Sequence, residues 1–257
     1  LRASALREQF LRAKEVLWAH LYAGYWWGLL GFLAGIVWPL VVLLPRRAWK
    51  WRTIRAASSV FFPLTATPLK ISGTEHIPAG AAVLVVNHSS YFDNVVLGAI
   101  LSRPPIFAVK AELFRKFFAR VFLERIGAIF VERMDVERGA AAAQKAARLL
   151  RAGELVVFFP EGTLTRMPGL LAFLTGPFLA AAEAGVPVIP VAIRGTRSIL
   201  RGDQWFPRQG RVEVTIGAPI FPSGTDWSAA VTARDAARAE MLRLVGEPDL
   251  AEEVVTL

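Results

Sequence analysis

The chain has 257 residues and no cysteine, which excludes disulfides, a thiolate nucleophile, a Cys-bound zinc and an iron–sulfur cluster. Its hydrophobic content of 54 % excludes a disordered chain and points towards lipid. Of the net charge of +9, residues 1–55 carry +7, so the remainder is close to neutral and a basic nucleic-acid-binding face on the folded part is disfavoured. His20, His76 and His88 are too scattered for a metal cluster.

The first predicted element is the uncharged run Leu21–Leu44, 24 residues long, where about 20 suffice to cross the apolar core of a bilayer. Six of the eight tryptophans lie in the first 55 residues; Trp18, Trp49 and Trp51 flank the run, as do basic residues. Two arrangements fit. One is a single span; the other is a helical hairpin dipping into one leaflet, broken near Pro39 and Pro45, with 53–69 as its return limb. The apolar character of that limb favours the hairpin, and a core helix of a soluble domain is the bland third reading. Residues 1–69 are therefore expected to be a membrane anchor, 70–250 a catalytic domain and 251–257 a tail.

Beyond Leu69 the pattern alternates. A strand and turn are predicted at 71–78, and strands at 81–86, 106–109, 128–131, 155–159 and 187–193, with 211–216 as an outer strand. Helices are predicted at 90–102, 112–126, 135–151, 176–184 and 225–245. Continuous apolar strands alternating with helices predict an α/β fold, a mainly parallel sheet flanked by helices. The stretch 113–126 interleaves four Phe with Arg115, Lys116 and Arg120, a pattern suited to an anionic lipid surface.

Two segments carry chemistry. Asn87-His88-Ser89-Ser90-Tyr91-Phe92-Asp93 follows a buried strand, where open α/β sheets place ligands. Histidine is the usual general base near neutral pH, and a carboxylate can orient it. On one uninterrupted helix the two side chains would lie about 140° apart. They pair only if His88 lies in the turn and Asp93 in the first helical turn, with Ser90 as N-cap and Asp93 at its third position, where Asp93 would also cap the helix. The second segment, Phe159-Pro160-Glu161-Gly162-Thr163-Leu164-Thr165-Arg166, follows another buried strand. Gly162 permits close backbone approach, and Thr163, Thr165 and Arg166 offer donors for a phosphate or hydroxyl. An ordinary turn with a solvated Glu161 is the alternative.

Together, the NHxxxxD and FPEGT segments resemble the glycerolipid acyltransferase family, in the group acting on lysophosphatidic acid. Val109–Leu113 with Gly127–Arg133 resembles that family's second block, and Val186–Val191 its fourth. The resemblance implies a membrane acyltransferase, with His88 as general base and Asp93 orienting it; four Lys/Arg before the apolar run and five after it favour the cytoplasmic face for the catalytic part, and a bacterial inner membrane is expected. It implies Arg133, Glu161, Gly162, Thr163 and Lys110 as substrate-binding residues, with Arg166 expected to replace in part the arginine missing at position 164. The implied partners are membrane lipids, a lysophospholipid acceptor and an acyl thioester, acyl-CoA or acyl-carrier protein, as co-substrate; no metal, cofactor or nucleic acid is implied. Leu164 and Leu174 stand where many members carry cations. Lysophosphatidic acid leads as acceptor; another lysophospholipid, a lyso-aminolipid, or a non-catalytic lipid-binding role is the alternative.

Overall fold

The structure, a computed structural model, describes residues 2–132, 136–164, 167–202 and 204–252. The apolar run lies inside one long helix, α1 (Arg2–Leu43). A turn at 44–46 reverses the chain into α2 (Arg47–Leu64), giving a hairpin. Leu11–Leu43 is long and apolar enough to cross a membrane, and only 11 % of its most apolar window is buried. Leu17, Trp18, Leu21, Phe32 and Leu43 lie exposed on its outer side.

The inner side of the hairpin is part of the protein core. Trp26 is fully buried, with its ring 5.1 Å from Phe61 and 5.4 Å from Phe92. Trp51 Nε1 donates to Leu101 O at 3.0 Å and Lys50 Nζ to Arg125 O at 2.8 Å. Arg47 binds Glu154 Oε1 at 2.6 Å and Pro104 O at 3.1 Å. Position 69, expected as the junction of anchor and catalytic domain, is thus no boundary in the packing.

The main sheet has seven described strands: β1 (Leu69–Ser72), β2 (Ala82–Val86), β3 (Ile106–Lys110), β4 (Ile129–Val131), β5 (Leu155–Phe158), β7 (Val188–Arg194) and β8 (Val212–Ile216). A short strand, β6 (Leu170–Leu171), pairs separately with β9 (Asp249–Leu250). The order is β1-β8-β7-β2-β5-β3-β4, parallel except between β7 and β8. The expected mainly parallel α/β sheet is therefore present. The strand read as outer, β8, instead lies between β7 and β1, and alternates buried and half-buried positions.

Side chains of a strand alternate between faces, so β2 serves two cores. Ala82, Leu84 and Val86 join the hairpin-side core with Trp26, Phe61 and Phe92. Val83 and Val85 join the opposite core, covered by α5 (Val136–Arg151), α6 (Gly176–Ala184) and α8 (Trp227–Val245). On the hairpin side, α2 packs on α3 (Asp93–Ile100) and α1 on α4 (Phe117–Ile126). The helix expected over 112–126 is a 3-10 turn at Ala111–Arg115 and then α4, broken at the extended Lys116.

Helices α2 and α3 touch through Gly98. A Cβ there would lie 2.5 Å from Ser58 Oγ and 3.2 Å from Ser58 Cβ. The hydroxyl can rotate away; the Cβ cannot. Gly98→Ala is expected to lower stability by about 1–3 kcal/mol. Adding Ser58→Gly should recover part of the lost melting temperature, and an unchanged melt in the single variant would contradict this contact.

Candidate active site

Strands β7, β2 and β5 lie side by side, and the chain segments leaving their C-terminal ends meet. At the end of β2, Asn87 replaces a ladder bond: its Nδ2 donates to Ile193 O at 2.9 Å and its Oδ1 accepts from Ile193 N at 2.7 Å. This fixes the point at which the next residue, His88, leaves the sheet.

The structure brings His88 and Asp93 together: His88 Nδ1 lies 2.9 Å from Asp93 Oδ2. The same oxygen accepts from the amides of Ser89 and Ser90, both at 2.9 Å, and Oδ1 accepts from Thr196 Oγ1 at 2.6 Å. Four donors thus converge on a carboxylate with no exposed surface, which offsets the cost of burying its charge. Next to such an acceptor Nδ1 carries the proton, so the neutral ring keeps its lone pair on Nε2. Among the described residues Nε2 has no hydrogen-bond partner.

The cap of α3 differs from the expected Ser90. Phe92 is the N-cap of α3 and Asp93 its first residue, not its third. Ser90 Oγ donates to Leu200 O at 2.6 Å and accepts from Phe92 N at 3.1 Å. Asp93 therefore satisfies amides upstream of the helix, which bends His88 back towards it.

Glu161 is also placed differently from the expected contact with substrate. It is buried, with Oε1 accepting from His88 N at 2.8 Å and Oε2 from Leu171 N at 3.1 Å. From the same loop Phe159 stacks on the His88 ring, with centroids 4.1 Å apart and planes at 25°. Burial raises the Glu161 carboxyl from its ordinary 4.5 to about 7, against the two amide donors that lower it. A raised carboxyl holds its proton more tightly in the folded state. Its contribution to stability is full below 4.5 and lost as the pH rises through about 7. The melting temperature of the wild type should fall across that window more steeply than that of Glu161→Gln. Parallel profiles would contradict a raised Glu161.

His88 lines a cavity of about 950 Å³. Phe107, Val109, Leu113 and Ala143 make part of its wall apolar, while Lys110 and Lys116 add cationic groups. Gly162, in the left-handed region at φ 70°, and Thr163 also line it, as do Leu164 and Leu174. Tyr91 lines it too and stacks on Trp205, whose backbone oxygen accepts from Trp27 Nε1 at 2.9 Å. Of the expected substrate-binding residues, Lys110, Gly162 and Thr163 line the cavity and Glu161 does not. Arg133 and Arg166 lie outside the described residues.

Sequence reasoning gave Asn87 no role of its own and missed Thr196 as part of the site. Thr196 opens α7 (Thr196–Ile199), after β7 and Gly195, a glycine at φ 93° whose Cβ would lie 2.0 Å from Arg211 O. A glycine and a hydroxyl at the end of a third apolar strand was the available signal. It also missed the clamp that holds the C-terminal end of the catalytic part. Glu247 accepts from Gly169 N at 2.8 Å and Arg197 Nη1 at 2.6 Å, while Arg238 joins Asp249 to the carbonyls of Leu170 and Leu171.

Comparison with known proteins gives a consistent picture. A family model described as Acyltransferase matches residues 68–194. The chain is 31 % identical over 194 residues to the chloroplastic 1-acyl-sn-glycerol-3-phosphate acyltransferase BAT2 of Brassica napus, covering 73 % of this chain and 56 % of that one. It is 30 % identical over 154 residues to the 1-acyl-sn-glycerol-3-phosphate acyltransferase of Bacillus subtilis, covering 59 % of this chain and 73 % of that one. It spans about half the length of several of the curated relatives it matches. The crystal structure of the 1-acyl-sn-glycerophosphate acyltransferase PlsC from Thermotoga maritima superposes with a TM-score of 0.73 at 22 % identity, over 90 % of this chain and 97 % of that one, a likeness of fold.

Proposed function

The chain belongs to the family of 1-acyl-sn-glycerol-3-phosphate acyltransferases, and from that premise we propose that it moves an acyl chain from an acyl thioester to the free hydroxyl of a lysophospholipid. The leading acceptor is 1-acyl-sn-glycerol 3-phosphate, giving phosphatidic acid. The observation that carries this reading is the His88–Asp93 pair beside an apolar-walled cavity, with Nε2 unpartnered among the described residues.

In this reading His88 Nε2 takes the proton of the acceptor hydroxyl as its oxygen attacks the thioester carbonyl. Asp93 holds Nδ1 and stabilises the imidazolium. Collapse of the tetrahedral adduct breaks the carbon–sulfur bond, and His88 returns the proton to the leaving thiolate. Atoms and charge balance without an acyl-enzyme. The cavity wall of Phe107, Val109 and Leu113 accommodates hydrocarbon, and Lys110, Thr163, Arg133 and Arg166 are the proposed contacts of the acceptor. The exposed side of α1 lies in the membrane, which keeps the cavity at the surface that supplies the lysolipid, on the cytoplasmic face. The thioester arrives from water as acyl-CoA or acyl-carrier protein.

The test is acyl transfer by the full chain in detergent, with labelled acyl-CoA and acyl-carrier protein each offered with lysophosphatidic acid. Phosphatidic acid from either donor is the expected result. Leu164 and Leu174 on the cavity wall favour a second reading, another lysophospholipid or a lyso-aminolipid as acceptor. Product from those acceptors alone would replace the first reading; no product from any would overturn both.

A further inference from the structure

Glu161 is buried beside the site, is not among the residues lining the cavity, and is left without a role by the proton transfer described above. Its two oxygens are each taken by a backbone amide: Oε1 by His88 N at 2.8 Å and Oε2 by Leu171 N at 3.1 Å. The amides of Ser89 and Ser90 go to Asp93 Oδ2. Three consecutive amides, 88 to 90, are therefore held by two buried carboxylates. Residue 171 is in turn fixed from outside, through β9 and Arg238.

We propose that Glu161 is a positioning residue for His88: it ties the His88 amide to the β6 strand, so that the ring sits between Asp93 and the cavity with Phe159 beneath it. This rests on the reading of His88 as the base. Glu161 then acts on the chemical step through the backbone of His88 and contributes nothing to holding the acceptor. Both oxygens of a carboxyl group accept hydrogen bonds whether or not it is protonated. A glutamine has one such oxygen and sets an N–H against the second amide. Glu161→Gln keeps the shape and breaks one of the two ties. A shift of about 1 Å in a reacting group costs up to about a hundredfold in rate.

The experiment uses the full chain in detergent, wild type beside Glu161→Gln and Glu161→Asp. Acceptor kinetics are measured together with nitrogen-15 NMR of the three histidines. The His88 signals are assigned by their loss in His88→Asn. The expected result is a kcat at least about tenfold lower with an acceptor KM within about twofold. The downfield Nδ1 proton of His88 moves or broadens, while the melt remains cooperative. A raised KM at unchanged kcat would make Glu161 an acceptor ligand and overturn the proposal, as would a lower kcat with an unmoved His88 signal. If neither variant folds, the wild type decides: a His88 amide that is downfield and protected from exchange supports the tie, and an exposed one overturns it. Absence of turnover in the wild type would count against the proposed reaction, while the His88 spectra would still judge the tie.

Discussion

In His88→Ala, turnover is expected to fall by roughly 10²–10⁴-fold, the usual worth of a general base, while the protein melts within a few degrees of the wild type. The two halves of this expectation have separate physical grounds. Loss of the imidazole removes the group proposed to take the acceptor proton, and the other two histidines, His20 and His76, are bonded to Val16 O and Ile216 O at 2.7 and 2.8 Å. The fold survives because Asp93 keeps three of its donors, the amides of Ser89 and Ser90 and the Thr196 hydroxyl. The His88 amide, which Glu161 binds, is untouched by the substitution. Retention of more than about a tenth of the rate would remove His88 from the chemistry. A collapsed melt would show that the ring's stacking on Phe159 is structural.

The second large effect concerns the hairpin. Removal of residues 1–69 is expected to destroy the fold, not to release a soluble catalytic domain. It strips Trp26, Trp51, Phe61 and Phe62 from a shared core and bares Phe92, Val96 and Leu97. Truncating a single buried Phe or Trp to Ala costs about 3–5 kcal/mol, and a whole domain is stable by only about 5–15 kcal/mol. Four such losses together, about 12–20 kcal/mol, match or exceed that margin. The shortened chain should lose its near-ultraviolet circular dichroism and bind hydrophobic dye. Removal of residues 1–20 alone should leave the melt cooperative, because the described side chains between 11 and 20 are largely exposed. A soluble 70–257 fragment with a cooperative melt would make the hairpin a detachable anchor.

The sequence made the sheet legible because buried parallel strands are continuous apolar runs, and β2, β5 and β7 each stand out as one. It also marked His88, Asp93 and the Glu161 loop, since charged residues directly after such runs are poorly explained as core. The hidden parts depend on distant partners. Trp26 lies in a run that is apolar on every side, so no periodicity shows which face meets the protein and which stays exposed. Glu161 reads as a ligand-facing acid because its partner amides are 73 and 10 residues away. Thr196 reaches Asp93 from 103 residues on. Strands β6 and β9, of two residues each, are too short to carry a period.

The row of amides at 88–90 has a further chemical consequence. Backbone N–H groups beside a nucleophile or base commonly form the oxyanion hole of acyl-transfer sites. Here all three already serve the protein's own carboxylates, so the negative oxygen of the proposed tetrahedral adduct would not draw on them. The turn after Glu161 remains: among the described residues the amide and hydroxyl of Thr163 have no partner, and Thr163 lines the cavity. Oxyanion stabilisation and base positioning would then be divided between the two loops, the turn after β2 holding the base and the turn after β5 receiving the charge.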